Sequence, residues 1–196
     1  MAPSSLPWPP RARIGSARWI GSLAAVTAVP ALSIDMSLPA QPTLMRVFGV
    51  GSDVTQLTLS LFLLGYAVGQ LVVGTLSDAV GRRPALLAGL GVYTVASLAC
   101  AVTGNLWLLV TMRFVQGTGA AAGAVIGRAM VRDTHTGAEA ARLLATMIAV
   151  LAIAPMVAPL VGGVLLEHLG WRAIFATLCL CGVALSAMAA SSLEET

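Results

Sequence analysis

The sequence predicts an all-α membrane protein with six transmembrane helices. Of its 196 residues, 58% are hydrophobic and only 10% are charged, whereas a typical soluble domain carries about 25% charged residues. Mean hydropathy is +0.90, and the 20 glycines and 10 prolines are typical of membrane helices, in which both residues are common. This composition argues against a disordered chain and against a cytosolic enzyme.

Six apolar runs follow one another along the chain, and the short segments between them hold nearly all the charges. A membrane-spanning helix needs about 20 predominantly apolar residues, which each run supplies. The runs are too long for a transmembrane barrel, whose strands alternate in segments of about ten residues. The predicted spans are 19–39, 54–76, 85–102, 106–127, 143–166 and 173–192.

The first 17 residues are rich in proline, serine and arginine, which predicts a disordered cytoplasmic tail. Arginines followed by an apolar stretch are also typical of a secretory signal, with 27–31 as a poor mimic of a cleavage site. A retained first helix is favoured because the apolar character continues to Leu38. The predicted organisation is therefore a tail over 1–17 and a six-helix domain over 18–196.

The arginines predict the orientation, because cytoplasmic loops collect positive residues. With the amino terminus inside, the inner segments hold eight arginines and the outer loops hold two. Both termini are therefore expected in the cytoplasm. The inner arginines are Arg11, Arg13, Arg18, Arg82, Arg83, Arg128, Arg132 and Arg142, and the outer ones are Arg46 and Arg172.

Two ionisable residues, Asp35 and Arg113, lie inside predicted spans, where a charge is expensive and marks a functional site by default. A rise of 1.5 Å per residue places both in the outer part of the bilayer, at similar depth. Gln116 follows Arg113 at i+3, on the same helix face. We expect Asp35 and Arg113 to pair or to share polar partners in one cavity. The alternatives are a helix cap before Pro39 for the aspartate, and snorkelling to the outer headgroups for the arginine.

A tight inner turn is predicted at Gly81, between the second and third spans. Glycine readily adopts the positive φ that a sharp reversal needs, and Pro84 suits the first turn of the next helix. Asp78, Arg82 and Arg83 bring charge to this turn. On composition alone, the turn is equally consistent with an ordinary positive inner loop.

Three motifs stand out along the chain. Their residues are Gly74, Gly81, Arg82, Arg83 and Pro84 in the inner turn; Leu109, Arg113, Gln116, Gly117, Gly119, Ala120 and Ala121 on the fourth span; and Ala154, Ala158, Pro159, Gly162 and Gly163 on the fifth. In their order and in the spans on which they lie, they resemble motifs of the major facilitator superfamily. Six spans with both ends inside resemble half of such a transporter, whose members have twelve. Two shorter matches, Asp35–Pro39 and Gly170-Trp171-Arg172, resemble the bicyclomycin-resistance (Bcr/CflA) type of drug–proton antiporter.

The resemblance implies a role for each motif. It implies that Arg113 takes part in proton coupling and that Asp78 is a gating carboxylate facing a helix of a partner half. It also implies that the fifth span, bent at Pro155 and Pro159, limits leak between the halves. Ala79, Ala154 and Ala158 depart from the family pattern, because the family usually has a basic residue at the first position and glycines at the other two.

The expected function is proton-coupled efflux of drugs or other small amphipathic molecules across the inner membrane of a bacterium. Asp35 is the candidate group for binding a proton or a cationic drug, with Arg113 tuning it electrostatically, and Tyr66 and Gln70 are possible cavity-lining residues. The expected partners are lipid, substrate, protons and a second half or a second copy, because the carboxyl-terminal half of the family fold is absent. No nucleophile–base set, metal spacing, cofactor motif or nucleic-acid-binding feature is found. The alternatives are a truncated remnant that does not transport, and a facilitator for another small solute.

Overall fold

The computed structural model describes Ile14 and residues 16–193, and these form a bundle of α-helices. The predicted tail lies mostly outside the described residues. Six helical segments are long and apolar enough to cross a membrane, as the sequence predicted. The helices are α1 (Ala17–Asp35), α2 (Gln41–Phe48), α3 (Ser52–Val80), α4 (Arg82–Val102), α5 (Leu106–Thr134), α6 (Gly137–Leu169) and α7 (Trp171–Ser192).

The first spanning segment is not one helix, although the sequence predicted a continuous span over 19–39. α1 ends at Asp35, a single 3-10 turn follows at Leu38–Ala40, and the short helix α2 continues to Phe48. Pro39 explains the break, because proline has no N–H to continue the α-helical hydrogen bonds. The break leaves Asp35 at the carboxyl end of a helix that lies largely inside the bundle.

The inner connections are much shorter than the sequence predicted. α5 continues to Thr134 and α6 starts at Gly137, so the expected loop over 128–142 is almost entirely helical. A helix of 29 residues, such as α5, is about 44 Å long and exceeds a hydrocarbon core of about 30 Å. The arginines of this region therefore lie on helix ends that project beyond the core. Hydropathy alone does not distinguish such helix ends from a loop.

The inner turn between α3 and α4 consists of Gly81 alone. Its φ of 99° lies in the region that favours glycine, and Pro84 is the third residue of α4. Both predictions for this turn are confirmed. On the opposite side of the bundle, α4 and α5 are joined by Thr103–Asn105, and the Asn105 side chain caps α5 by accepting from the backbone N–H groups of Trp107 and Leu108.

α5 is the central helix of the bundle, and small residues allow its neighbours to approach closely. A Cβ atom added to Gly117 would meet the backbone of α3 at Phe62 and Tyr66. One added to Gly119 would meet α4 at Tyr93, and one added to Gly123 would meet α1 at Val26. Helix association in membranes depends on such close packing. The small residues of α5 therefore serve three different helix interfaces: Gly117 and Gly119 of the fourth-span motif face α3 and α4, and Gly123 faces α1.

α6 continues as an α-helix through both Pro155 and Pro159. Its buried side chains include Ala154, Ala158 and Gly162, which are spaced four residues apart and so share one face. That face packs on the break after α1, where a Cβ added to Gly162 would meet the backbone of Met36. The two alanines that depart from the family pattern still provide a close helix contact.

Candidate functional site

The guanidinium group of Arg113 is completely buried in the middle of the bundle. Its Nε donates to the carbonyl oxygen of Thr58 at 3.2 Å, and Nη1 donates to the carbonyl oxygen of Ser33 at 3.4 Å. Nη1 also donates to Oε1 of Gln116 at 2.7 Å, and Nη2 donates to Oγ of Ser37 at 3.2 Å. All three nitrogens therefore have acceptors, contributed by α1, the segment after it, α3 and α5 itself.

Two aromatic rings also contact this guanidinium. Its central carbon lies 4.4 Å from the ring centroid of Phe62 and 5.7 Å from that of Phe175. A cation within about 6 Å of an aromatic face is attracted to the ring, more strongly when water is excluded. The rings and carbonyl dipoles thus stabilise a charge whose insertion at the centre of a membrane helix costs about 3 kcal/mol.

The hydrogen bonds continue from Arg113 across α4 to α1. Nε2 of Gln116 donates to Oγ of Ser97 at 2.7 Å, and that hydroxyl in turn donates to the carbonyl oxygen of Tyr93. The hydroxyl of Tyr93 shares a hydrogen bond of 2.7 Å with Oγ of Ser33. Both ends of the network therefore meet on α1, immediately before Asp35.

Asp35 and Arg113 do not form the direct ion pair that their matched depths suggested. Within the described residues, the carboxylate has no ion pair or hydrogen bond, and it is only partly buried. The two residues nevertheless lie at the same level of the bundle, because Arg113 donates to Ser33 and Ser37, which lie two residues before and two residues after Asp35. Instead, Arg113 donates to the carbonyl oxygen of Ser33 in the last turn of α1, where the helix end carries partial negative charge.

Several members of this network were not identified from the sequence. Ser33 and Ser37 lie four residues apart on either side of Asp35, and Tyr93 and Ser97 show the same spacing on α4. Polar residues at i and i+4 share a helix face, so the spacing was a usable signal. The contribution of the Thr58 carbonyl and of the two phenylalanines required the tertiary structure.

The charged inner turn forms a second polar group, far from Arg113. Arg82 forms ion pairs with Asp78 and with Asp133, the latter at 2.9 Å between Nε and Oδ2, and it donates to Oγ of Ser77 at 2.7 Å. Arg83 donates to the carbonyl oxygen of Ala190 at 2.8 Å, near the end of α7. Arg82 therefore ties the ends of α3 and α5 together, and Asp133 is a participant that the sequence analysis missed.

The remaining predicted site residues are placed as follows. Tyr66 and Gln70 are half-buried on α3, and within the described residues neither side chain has a hydrogen-bond partner. A Cβ atom added to Gly74 or to Gly163 would meet no neighbouring atom within 4 Å. A cavity-lining role for Tyr66 and Gln70 stays a prediction.

Curated relatives of the chain include proteins named for drug resistance. A chloramphenicol resistance protein of Pseudomonas aeruginosa is 41% identical over 166 residues, which is 84% of this chain and 40% of the relative. A bicyclomycin resistance protein homolog of Haemophilus influenzae is 31% identical over 178 residues, 91% of this chain and 45% of the relative. An uncharacterized MFS-type transporter of Bacillus subtilis, YdgK, is 41% identical over 167 residues, 84% of this chain and 42% of the relative.

The chain spans less than half the length of these relatives. Residues 23–195, nearly the whole of the described bundle, match the Major Facilitator Superfamily. The six membrane-spanning helices agree with that match. The chain is therefore a multi-pass membrane protein that belongs to the major facilitator superfamily, a family of transporters rather than enzymes.

Proposed function

We propose that this chain is the amino-terminal six-helix half of a proton-coupled drug exporter of the Bcr/CflA type. Its membrane is the bacterial inner membrane, and both termini are cytoplasmic. The observation that carries the proposal is the completely buried Arg113, which within the described residues has no carboxylate partner and is held by the turn of α1 that ends at Asp35. Intramembrane ionisable residues mark pathways for ions, protons or substrates.

Asp35 binds the proton in this proposal, or exchanges it for a substrate. Its carboxylate is partly exposed and has no partner among the described residues, so it is available to a ligand. Arg113 donates to the carbonyl oxygen of Ser33 before Asp35 and to the hydroxyl oxygen of Ser37 after it, and so places a fixed positive charge beside the same turn. Binding or release of a proton at Asp35 changes the net charge of this turn. The hydrogen bonds of Arg113 transmit that change to α3 and α4.

The second half is required because transport sites in this type of fold lie at the interface between repeats, near the membrane midplane. A chain that spans less than half of its relatives supplies one wall of such a site. A second polypeptide or a second copy of this chain would supply the other wall. Drug efflux is supported by the relatives named for resistance to chloramphenicol and bicyclomycin.

The test is drug susceptibility in an efflux-deficient bacterial host. The chain alone is compared with the chain completed by the second half of a relative, each with wild-type Asp35 and with Asp35→Asn. We expect the completed transporter to raise resistance and Asp35→Asn to abolish proton-driven efflux while leaving the protein in the membrane. The matched control is Asp53→Asn on α3, an exposed carboxylate at the opposite end of the helix from the inner turn.

Three results would overturn the proposal in different ways. Efflux that persists in Asp35→Asn would remove Asp35 from the coupling mechanism. No efflux from the completed transporter would favour the alternative of a remnant that does not transport, and uptake of a solute without a proton gradient would favour a facilitator.

A further inference from the structure

A cavity of about 150 Å³ lies between α1, α5 and α6, toward the inner side and away from the Arg113 network. Four α6 side chains form its apolar wall, Thr27 of α1 lies beside it, and Arg128 of α5 supplies its charge. The apolar residues are Leu144, Met147, Ile148 and Leu151.

Arg128 is the unusual feature of this cavity. It is exposed and, within the described residues, forms no hydrogen bond or ion pair. The nearby carboxylates are engaged elsewhere, because Asp133 pairs with Arg82 and Glu139 lies 3.7 Å from His135. The cavity thus combines an apolar wall with one guanidinium that forms no ion pair with any carboxylate in the part of the chain that the structure describes.

The position of the cavity relative to the helices is well defined. Gly127 packs on the hydroxyl group of Thr27, since a Cβ added there would meet its oxygen at 2.7 Å. The hydroxyl donates to the carbonyl oxygen of Leu23 at 2.7 Å. Thr27 lies ten residues into α1, which is about 15 Å from the inner end of that helix. The cavity therefore lies in the inner half of the bundle, between the inner helix ends and the middle of α1.

We infer that this cavity binds a small amphipathic anion, with its acidic group on Arg128 and an apolar ring against α6. A guanidinium binds a carboxylate through short, charge-assisted hydrogen bonds that are about twice as strong as neutral ones. An apolar cavity of about 150 Å³ holds a group the size of benzene, whereas the two acyl chains of a phospholipid are far larger. The volume therefore favours a single-ring anion over a lipid.

This inference rests on the proposed transport function, because it names the substrate class that enters from the cytoplasm. An anionic substrate on Arg128 leaves Asp35 free for the proton alone. The two charged residues then have separate tasks on different helices, and one carboxylate no longer needs to accept both proton and substrate.

The test measures equilibrium binding to the full chain in nanodiscs of phosphatidylcholine, by ¹⁹F NMR. The probes are 4-fluorobenzoate and its neutral analogue 4-fluorobenzamide, and empty nanodiscs correct for partitioning into lipid. We expect the anion to bind about tenfold more tightly than the amide, which corresponds to about 1.4 kcal/mol. Neither a second half nor a gradient is needed, so a failure here is distinct from a failure of proton-coupled transport.

Three variants locate the site. Arg128→Gln is expected to abolish the preference for the anion, and Arg132→Gln, one turn further along the same helix and outside the cavity, is the matched control. Ile148→Trp fills the cavity from an exposed position, with 65% of Ile148 accessible, and should prevent binding of both probes. Arg128→Lys retains the charge and should retain most of the preference, which separates a charge effect from a folding defect.

Equal binding of the acid and the amide, or an unchanged preference in Arg128→Gln, would overturn the inference. Displacement of 4-fluorobenzoate in nanodiscs that contain phosphatidylglycerol would also overturn it, because the site would then be one for anionic lipid.

Discussion

Nη1 of Arg113 on α5 donates to the carbonyl oxygen of Ser33 on α1, two residues before Asp35. The contact connects the only arginine within a predicted span to the helix end that carries the intramembrane carboxylate. The two charged residues therefore meet at one turn of backbone without forming an ion pair among the described residues. The predictions below test this arrangement and the packing around it.

Arg113→Lys should destabilise the bundle and impair transport even though the charge is kept. A lysine ammonium has three donors and no planar fork, so it cannot reproduce the contacts to Thr58, Ser33, Ser37 and Gln116 together. Each buried acceptor left without a partner costs about 1–3 kcal/mol. We expect a fall of at least about 2 kcal/mol in unfolding free energy in detergent, and loss of efflux in a completed transporter.

The control for this change is Arg172→Lys, near the opposite end of the bundle from the inner turn. Among the described residues, Arg172 makes one hydrogen bond, to the carbonyl oxygen of Thr103, and it stacks on Trp171. If Arg113→Lys were as mild as the control, the network would not depend on the shape of the guanidinium.

Gly162→Ala should destabilise the chain, whereas Gly163→Ala should not. A Cβ at 162 would meet the backbone of Met36, and one at 163 would have no neighbour within 4 Å. Replacing glycine by alanine within a helix otherwise stabilises by up to about 1 kcal/mol, so the two substitutions should have opposite signs. Thermal unfolding of both variants in the same detergent measures this, and a shared sign would argue against close packing of α6 on the break after α1.

Asp133→Asn should weaken the link between the inner ends of α4 and α5 only slightly. Ion pairs at partly exposed positions contribute about 0–1 kcal/mol, and the side chain of Asp133 is 37% exposed. The difference from wild type should shrink further as salt is added, because salt screens exposed charges. Chemical denaturation at low and high ionic strength gives this comparison, and a loss above about 2 kcal/mol would show that the pair is a major structural link.

The orientation can be tested by labelling introduced cysteines from outside the cell. Gly104 and Thr136 are exposed and lie in connections at opposite ends of the bundle. In a variant in which Cys100, Cys179 and Cys181 are replaced by alanine, Gly104→Cys should react with a membrane-impermeant maleimide. Thr136→Cys should react only after the membrane is permeabilised, and the reverse pattern would place the termini outside.

Much of the fold could be predicted because hydropathy acts locally. Each apolar run of sufficient length must form a helix in lipid, since no water is available to satisfy its backbone groups. The same argument fails at the ends, because helix residues that project beyond the hydrocarbon core are as polar as a loop. This is why 128–142 was expected to be a loop and why the short helix α2 was not foreseen. A helix end before Pro39 was considered only as the alternative explanation for Asp35.

The candidate site was predicted in part. The sequence indicated Arg113, Gln116 and Asp35 because charged and amide groups stand out in apolar runs, and their depths followed from the rise of a helix. It did not indicate that Arg113 would donate to two carbonyl oxygens and a serine hydroxyl group instead of pairing with Asp35. Carbonyl groups are present at every residue and carry no signal in the sequence.

By itself, the sequence determined the class of protein, the number of spans, their likeness to a transporter family and the similar level of Asp35 and Arg113 in the bundle, since all of these depend on composition and spacing along one helix. Only the tertiary structure decided which groups Asp35 and Arg113 contact, that Gly162 packs on the backbone of Met36, and that Arg128 borders a cavity with no carboxylate partner among residues 16–193. Such contacts depend on how helices rotate about their axes and pack, and that is settled by interactions between residues far apart in the chain.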